Sequence, residues 1–360
     1  MKILMLAPVE ERVPPRKYGG TELVVYNLTE GLVKRGYQVT LAASGDSITS
    51  AKLYCLSKKS LRIRLNKQNH ELKLREAFKY IAIARALKLA SRKKFDIVHN
   101  HIGWRILPFS FFIKMPMITT LHGPLTDYYQ KTVYSQFKKA HLVSISKSQR
   151  QPAPQLNYAG TVYNGIDLDK FIFNNKPQDY FAFLGRISPE KGIWFAIKAA
   201  LRAKIKLLIG AKIDPVDQKF YQSKIKPLIN GKQIQYLGEL NHNQKVQLLK
   251  NARAVINPIN WQEPFGLVMT EAMACGTPVI ATRRASASEI IIDKKTGFLV
   301  DPQNPIPGII KAVKNIDQIR RGDCRKRVEE KFTTDHMVAG YEKVYKKVIK
   351  AYKKQMGLAG

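Results

Sequence analysis

Residues 257–278 read NPINWQEPFGLVMTEAMACGTP and place two carboxylates in one short segment. Glu263 lies in the loop between a short apolar strand and a predicted helix, and Glu271 lies inside that helix on an otherwise apolar surface. Pro264 and Gly266 shape the turn, so that backbone N–H groups become available where the helix begins. The segment therefore predicts a site for a polar ligand at the start of a helix that follows a strand.

The two carboxylates have different predicted tasks. An ionised carboxylate accepts hydrogen bonds at both of its oxygens. Glu271 could accept two hydrogen bonds from a ribose diol, and Glu263 could accept them from sugar hydroxyls. The N–H groups of Phe265, Gly266 and Leu267 would be available at the helix start. A capping role or a role in satisfying the core is the alternative for either acid.

Outside this segment, short apolar runs alternate with helical patterns along the whole chain. Such alternation indicates parallel βαβ units, so each half is predicted to form an α/β, Rossmann-like domain. The periodicity breaks at 171–178 and then restarts, which places the linker there. We predict domains over 1–170 and 171–334 whose parallel sheets face a common cleft. Residues 335–360 are predicted to form an amphipathic helix that crosses back to the first domain, with membrane-surface contact as the alternative.

Two further loops follow predicted strands. Gly19 and Gly20 precede a helix for which Thr21 is the predicted N-cap, and this glycine pair would let the backbone approach a phosphate closely. Arg186 and Lys191 follow the first strand of the second half, at the strand end where ligands of open parallel sheets bind. Their charges could neutralise a diphosphate as it becomes a leaving group. A plain turn and a surface salt-bridge pair are the respective alternatives.

Together these motifs resemble glycosyltransferase family 4, a family of retaining enzymes with the GT-B fold. The resemblance rests on the Glu-(seven residues)-Glu spacing and covers nearly the whole chain. Its other motifs are GG at 19–20, LHG at 121–123, YNGID at 163–167, GR at 185–186, EKG at 190–192 and TGFLV at 296–300. The resemblance implies a GT-B fold with an N-terminal acceptor domain and a C-terminal domain for a nucleotide-diphosphate sugar.

The resemblance also implies roles for individual residues. Arg186 and Lys191 would hold the donor diphosphate, Glu263 would bind the donor sugar, and Glu271 would bind the ribose. His122, at a strand end, would lie at the reaction centre; a satisfied core histidine is the alternative. The residues implied to be catalytic are His122, Arg186, Lys191 and Glu263. The other residues implied to bind the donor are Gly19, Gly20, Phe265, Gly266, Leu267 and Glu271.

By the same resemblance, the enzyme transfers a hexose by a front-face mechanism that needs no metal and no cofactor. UDP-glucose is the favoured donor and GDP-mannose the second, and the acceptor is a small molecule, a lipid or a saccharide. The alternatives on the same fold are a sugar phosphorylase, a nucleotide-sugar hydrolase or an epimerase, and a basic nucleic-acid-binding protein is a further, weaker alternative. Two metal-like pairs, Asp167 with Asp169 and His99 with His101, have no convincing companion ligands, so no metal site is expected.

The sequence departs from the family in one loop. Family members often have Gly-Ser-x-Pro-Glu where this chain has ASASE at 285–289. Loss of the glycine removes easy access to a positive φ, and loss of the proline frees the backbone. We therefore expect the loop near the donor to be less constrained than in the family.

The charge balance is extreme for an enzyme. Lysine and arginine number 61 against 27 aspartates and glutamates, which gives a formal net charge of +34. This charge predicts attraction to polyanions such as nucleic acid, anionic lipid and nucleotide diphosphates, although dispersed lysines also fit a surface that is simply basic. No specific nucleic-acid partner is expected, because no stacking motif is present. Residues 58–73 could touch an acceptor or an anionic lipid face, or form a solvated basic loop.

Length and cysteine usage favour a two-domain cytoplasmic protein. A chain of 360 residues exceeds the usual size of one hydrophobic core. Cys55, Cys275 and Cys324 are far apart, which suits reduced thiols. No apolar run is long enough for a transmembrane helix, and the apolar N-terminus is too short for a signal peptide. Peripheral contact with the inner membrane surface is the alternative to a wholly cytoplasmic location.

Overall fold

The computed structural model describes residues 1–17, 19–65 and 72–357. The chain forms two compact units. The first comprises Met1–Gly165 and Thr334–Gly360, and the second comprises Ile166–Thr333. The change of unit thus lies a few residues before the predicted linker.

Two sequence predictions extend beyond the described part of the chain. In the basic segment 58–73, residues 66–71 lie outside the described residues. In the C-terminal helix predicted over 335–360, residues 358–360 also lie outside them.

The first unit contains a seven-stranded parallel sheet. Its strands are β1 (Lys2–Leu6), β2 (Gln38–Ser44), β3 (Lys52–Ser57), β4 (Ile97–Asn100), β5 (Met117–Thr120), β6 (His141–Ser144) and β7 (Tyr158–Thr161). Their order in the sheet is β3-β2-β1-β4-β5-β6-β7. The helices between them are α1 (Gly20–Lys34), α2 (Leu61–Arg64), α3 (Leu72–Arg92) and α4 (Tyr128–Gln136), with a 3₁₀ helix at Gly103–Phe112. Residues 3–6 of the inner strand β1 form a continuous buried apolar run, because helices cover both faces of the sheet.

The second unit contains a six-stranded parallel sheet. Its strands are β8 (Phe181–Arg186), β9 (Leu207–Lys212), β10 (Ile234–Gly238), β11 (Val255–Asn257), β12 (Val279–Thr282) and β13 (Gly297–Val300), in the order β10-β9-β8-β11-β12-β13. Its helices are α5 (Ile193–Ala203), α6 (Gln218–Phe220), α7 (His242–Asn251), α8 (Leu267–Ala274), α9 (Ala287–Ile290), α10 (Pro305–Lys314) and α11 (Arg321–Lys331). Two parallel α/β sheets agree with the predicted fold class.

The last helix, α12 (Thr334–Gln355), belongs to the first unit. A side-chain carbon at Gly31 of α1 would lie only 2.7 Å from Val338, so the two helices pack closely because that residue is glycine. Tyr341 and Tyr345 are fully buried. Their hydroxyl groups reach side chains of the sheet, which fixes the helix by both packing and hydrogen bonding.

Two elements differ from what the sequence pattern predicts. Strand β3 is absent from the elements that the sequence pattern predicts; it lies at the edge of its sheet and is partly exposed. Residues 216–229 have the apolar spacing of one helix but form short 3₁₀, α and π turns. Pro227 explains part of this break, because proline cannot donate the backbone hydrogen bond that continues a helix.

The structure bears on two further predictions, the reduced cysteines and the lack of a transmembrane helix. Cys55, Cys275 and Cys324 are free thiols. Burial raises the pKa of Cys275 and of Cys324 to about 12, so both are unreactive neutral thiols. Within the described ranges, no helix combines the length and apolar content that a membrane span requires.

Candidate active site

Two loops of the second unit lie side by side where neighbouring strands end. They follow β8 and β11, which pair in parallel. Gly192 has a φ of 72°, and a side chain there would collide with the carbonyl oxygen of Pro258. The N–H of Asn260 donates to the carbonyl of Glu190 at 2.7 Å. The two loops therefore form one surface at the edge of the sheet where ligands of parallel sheets bind.

Lys191 and Glu263 meet on this surface. The ammonium group of Lys191 forms an ion pair with Glu263 Oε2, which also accepts a hydrogen bond from the indole N–H of Trp261 at 2.9 Å. The same ammonium lies 4.9 Å from the centre of the Trp261 ring, within cation–π range. Glu263 is only 9% exposed, so each charge of the pair compensates the other where water is largely excluded.

Arg186, at the end of β8, lies among acids. Its guanidinium group pairs with Glu190 and lies 3.4 Å from a carboxylate oxygen of both Asp214 and Asp217. Burial raises the pKa of Asp217, and the positive charge of Arg186 opposes that shift. The acids orient the guanidinium group, but they also compete with any diphosphate for it.

Glu271 is buried in α8 and has a lysine partner of its own. Lys245, on α7, forms an ion pair with its carboxylate. The ammonium group of Lys245 also lies 5.5 Å from the centre of the Phe171 ring. Lys245 was not identified from the sequence, because it lies in a polar helix with no motif around it. Each predicted donor-binding acid therefore has one lysine partner.

The three residues predicted to bind the donor at the start of α8 offer backbone groups and not polar side chains. Gly266 has a φ of 83°, and a side chain there would come within 2.6 Å of Met269. The helix begins at Leu267, so its first N–H groups lie beyond the reach of the helix's own carbonyls. Phe265 is buried and packs edge-to-face on Phe332, with ring centres 5.9 Å apart. Its side chain supports the loop, and only its backbone is available for the predicted donor contact.

The loop that departs from the family keeps a left-handed residue. Ala285 has a φ of 49°, a conformation that costs a non-glycine residue about 1–2 kcal/mol. The hydroxyl of Ser286 donates to the carbonyl of Phe265 at 2.6 Å, which ties this loop to the start of α8. The positive φ is therefore present despite the loss of glycine.

In the first unit, the glycine pair lies at the start of α1. The helix begins at Gly20 with Gly19 at the N-cap, so the prediction that Thr21 is the N-cap is wrong. Gly19 has an extended backbone, but a side-chain carbon there would lie 2.7 Å from Pro15. Crowding, and not a positive φ, explains this glycine. Beside it, burial raises the pKa of Glu22 to about 7, which makes Glu22 a functional candidate that the motif alone does not indicate.

His122 follows β5 and belongs to a row of three histidines. Its Nε2 lies 2.8 Å from Nδ1 of His101, whose ring centre lies 4.0 Å from that of His99. The two nitrogens of His99 lie 2.7 Å from the hydroxyls of Tyr345 and Thr120. Burial lowers the pKa of all three histidines, that of His122 to about 4, so the row is neutral at neutral pH.

The hydrogen bonds of this row indicate a tautomer. His101 Nε2 is buried and has no hydrogen-bond partner among the residues that the structure describes. A buried N–H without an acceptor is rarer than an unused lone pair, so we place the proton of His101 on Nδ1. His101 then donates to Nε2 of His122, and the proton of His122 lies on Nδ1. His101 thus orients the predicted catalytic histidine.

The metal-like pairs have other local partners. The side chain of Asp167 accepts a hydrogen bond from the N–H of Asp169 at 3.3 Å and pairs with Lys170 at 3.4 Å. Over residues 1–17, 19–65 and 72–357, no cluster of three or more His, Cys, Asp or Glu side chains is arranged to hold a metal ion.

Two family models match this chain. The model described as Glycosyltransferase Family 4 matches residues 18–170, and the model described as Glycosyl transferases group 1 matches residues 166–330. The chain belongs to glycosyltransferase family 4. The glycine pair and His122 lie in the first match, and the acids and cations of the second unit lie in the other.

Relatives of this family 4 glycosyltransferase match it over nearly its whole length. An uncharacterized glycosyltransferase of Methanocaldococcus jannaschii is 25% identical over 95% of this chain and 98% of its own. Among solved structures, sucrose-phosphate synthase of Thermosynechococcus elongatus has a TM-score of 0.76 at 19% identity, covering 99% of this chain and 100% of its own. HepE of Anabaena, in complex with UDP-glucose, has a TM-score of 0.69 at 18% identity, with both chains fully covered. The predicted GT-B fold is confirmed.

The left-handed alanine predicts a stabilising substitution. We expect Ala285→Gly to raise the free energy of unfolding by up to about 1 kcal/mol, measured by chemical denaturation. Relief of the left-handed conformation, about 1–2 kcal/mol, exceeds the entropy that glycine adds to the unfolded chain, about 0.4–1 kcal/mol. The matched control is Ala287→Gly in α9, which should destabilise by roughly 1 kcal/mol. If the Ala285→Gly protein is less stable than the wild type, Ala285 is not strained in its left-handed conformation.

The buried histidines predict sensitivity to mild acid. The pKa of His122 falls from 6.5 to about 4 on folding, so the unfolded state binds more protons between these values and stability falls as pH decreases through them. For His122 the loss at pH 5 is about 2 kcal/mol. Denaturant titrations at about pH 7.5 and pH 5 should show a weaker pH dependence for His122→Asn. The control is His336→Asn on α12. If the free energy of unfolding changes equally with pH in both variants, the prediction is contradicted.

Proposed function

We propose that the protein is a retaining hexosyltransferase that uses UDP-glucose as its donor. The observation that carries the proposal is the set of paired charges at one edge of the second sheet. Lys191 pairs with Glu263, Lys245 pairs with Glu271, and Arg186 lies among carboxylates. A sugar nucleotide carries both phosphates, which suit the cations, and hydroxyls, which suit the acids. It is therefore a ligand that can replace both partners of each pair.

The diphosphate is assigned to Arg186 and Lys191. Its oxygens replace Glu263 at the Lys191 ammonium group and replace at least one acid at the guanidinium group. The N–H groups at the start of α8 add donors that carry partial positive charge. As the bond to the sugar breaks, negative charge grows on the leaving phosphate. Fixed cations then stabilise the transition state more than the bound substrate, which is what accelerates the reaction.

The hydroxyls of the donor are assigned to the two acids. Once Lys191 turns to the diphosphate, Glu263 can accept hydrogen bonds from the sugar while the Trp261 indole, 2.9 Å away, keeps the carboxylate oriented. Glu271 is assigned to the ribose diol, with Lys245 compensating its negative charge. The solved complex of HepE with UDP-glucose supports this choice of donor, and a GDP-sugar is the second choice.

Retention of configuration follows from a front-face reaction. The acceptor hydroxyl attacks the sugar from the side on which the nucleotide diphosphate departs, through an oxocarbenium-like transition state, and the departing phosphate takes the acceptor's proton. His122 is proposed to contact the transferred sugar in its neutral form, because burial keeps its pKa at about 4. The charge of the leaving group is assigned to side chains and backbone N–H groups without a metal ion.

Donor choice can be tested by thermal unfolding. A ligand that binds only the folded protein raises its stability by about 2.7 kcal/mol at a hundred times its dissociation constant. We expect UDP-glucose to raise the melting temperature more than GDP-mannose does. Glu271→Gln should reduce the shift, because the amide is a weaker acceptor for the ribose diol, and Glu329→Gln on α11 is the matched control. A larger rise in melting temperature with GDP-mannose would make GDP-mannose the assigned donor. No rise with either sugar nucleotide would refute the assignment of a donor site.

The role of Lys191 predicts a separation of turnover from binding. We expect Lys191→Ala to lower kcat about 10²–10³-fold, and to weaken donor binding less, because the ammonium group stabilises charge that grows in the transition state. Release of UDP in the presence of a panel of sugar acceptors measures turnover, and Lys226→Ala, at an exposed site of the same unit, is the control. Unchanged turnover would remove Lys191 from the mechanism. Greater activity with orthophosphate than with sugar acceptors would favour a phosphorylase.

A further inference from the structure

One surface of the first unit has no part in the proposed transfer. It is formed by α2, α3 and the 3₁₀ helix with the residues next to them, and we call it the basic face: residues 58–65, 72–94 and 103–114. It includes the described part of the basic segment for which the sequence left three interpretations open.

The parts of the basic face form one packed layer. The guanidinium group of Arg64, on α2, lies 3.8 Å from the centre of the Phe78 ring on α3. Arg105, on the 3₁₀ helix, donates to Glu76 of α3 at 2.9 Å. Beneath them, residues of α2, α3 and the 3₁₀ helix share one hydrophobic core cluster. The exposed side chains of these segments are therefore presented by a single rigid layer.

This layer exposes large apolar side chains. Phe111 is 73% exposed and Phe112 is 58% exposed, and their ring centres lie 4.1 Å apart. Tyr80 and Ile81 of α3 and Ile63 of α2 are also exposed. Phenylalanine and isoleucine are usually buried, so four such residues together with Tyr80 on one layer mark a surface that contacts an apolar medium.

The same layer is strongly cationic. The three ranges of the basic face contain 14 lysines and arginines against one glutamate, a far larger excess than in the rest of the chain. On α3, Lys73, Lys88 and Arg92 are exposed. Glu76 is already bound by Arg105 at 2.9 Å and by Lys79 at 2.8 Å, so its charge is compensated within the layer. The layer that carries the exposed aromatic pair therefore favours an anionic partner.

We propose that the basic face binds the surface of an anionic lipid bilayer. Phe111 and Phe112 enter the interfacial region, and the lysines and arginines of α3 lie near the lipid phosphates. Apolar side chains that project from a cationic surface are the combination that interfacial binding requires. The proposal concerns the first unit alone, so it does not depend on which donor the second unit uses.

The other polyanions and a second copy of the chain fit this surface less well. Nucleic acid would pair with the cations and could stack on the phenylalanines, but it offers no apolar phase for Ile63 and Ile81. A second copy would bring two cationic layers together, which charge repulsion opposes. A bilayer with anionic headgroups satisfies both the charge and the apolar side chains.

Vesicle co-sedimentation of the full chain tests the proposal. We expect the protein to sediment with vesicles of phosphatidylcholine and phosphatidylglycerol, not with phosphatidylcholine alone, and to be released as salt rises. The double variant Phe111→Ser/Phe112→Ser should bind at least about tenfold more weakly, because the apolar contribution is lost. Lys88→Glu/Arg92→Glu should bind more weakly still at low salt.

Controls separate this surface from the general charge of the protein. Val216→Ser removes an exposed apolar residue of the second unit, and Lys224→Glu/Lys226→Glu reverses two exposed charges there. Both should bind anionic vesicles like the wild type, and melting temperatures of all variants should match. No binding to anionic vesicles overturns the proposal, as does undiminished binding by the Phe111→Ser/Phe112→Ser variant. Saturable binding of single-stranded RNA without vesicle binding would assign the face to nucleic acid instead.

Discussion

Both sheets are wholly parallel, and this constraint determines where polar side chains can act. Each pair of neighbouring parallel strands needs a crossover connection, and the crossovers cover both faces of the sheet. The buried residues 3–6 of β1 and 279–281 of β12 are therefore all apolar. Polar chemistry is left to the loops at the strand ends. Arg186, Glu263 and His122 all lie at or after the ends of strands, in separate parts of the sequence.

Sequence reasoning identified what local motifs encode and missed what tertiary contacts create. The loops at Lys191 and Glu263 carry glycines and prolines that mark strand ends, so their positions in the fold were predictable. Lys245, the partner of Glu271, lies in a polar helix, and nothing local distinguishes it from other surface lysines. The contact of His101 with His122 depends on the pairing of β4 with β5, which no single segment specifies. Residue types were therefore easier to predict than their partners.

The protein's net charge of +34 is not concentrated at the proposed donor site. Lys191, Lys245 and Arg186 all have carboxylate partners within the protein, so the local charge balance of these pairs is close to neutral or acidic. Under the proposed assignment, an anion binds here only if it can also satisfy the acids that it displaces. Simple polyanions lack the hydroxyls to do so, which favours selectivity over raw affinity. The surplus positive charge lies on other surfaces, among them the basic face.

Helix α12 is synthesised after the whole second unit, yet it completes the first unit. Until Tyr345 has left the ribosome, His99 lacks one of its buried partners and the groove between α1 and β7 is open. The second unit is contiguous in sequence and can close earlier. During translation the first unit can therefore complete its fold only after the second unit has emerged, the reverse of the usual order. A ribosome that stops before residue 334 releases a complete second unit attached to an unfinished first one, a species that quality-control proteases can recognise.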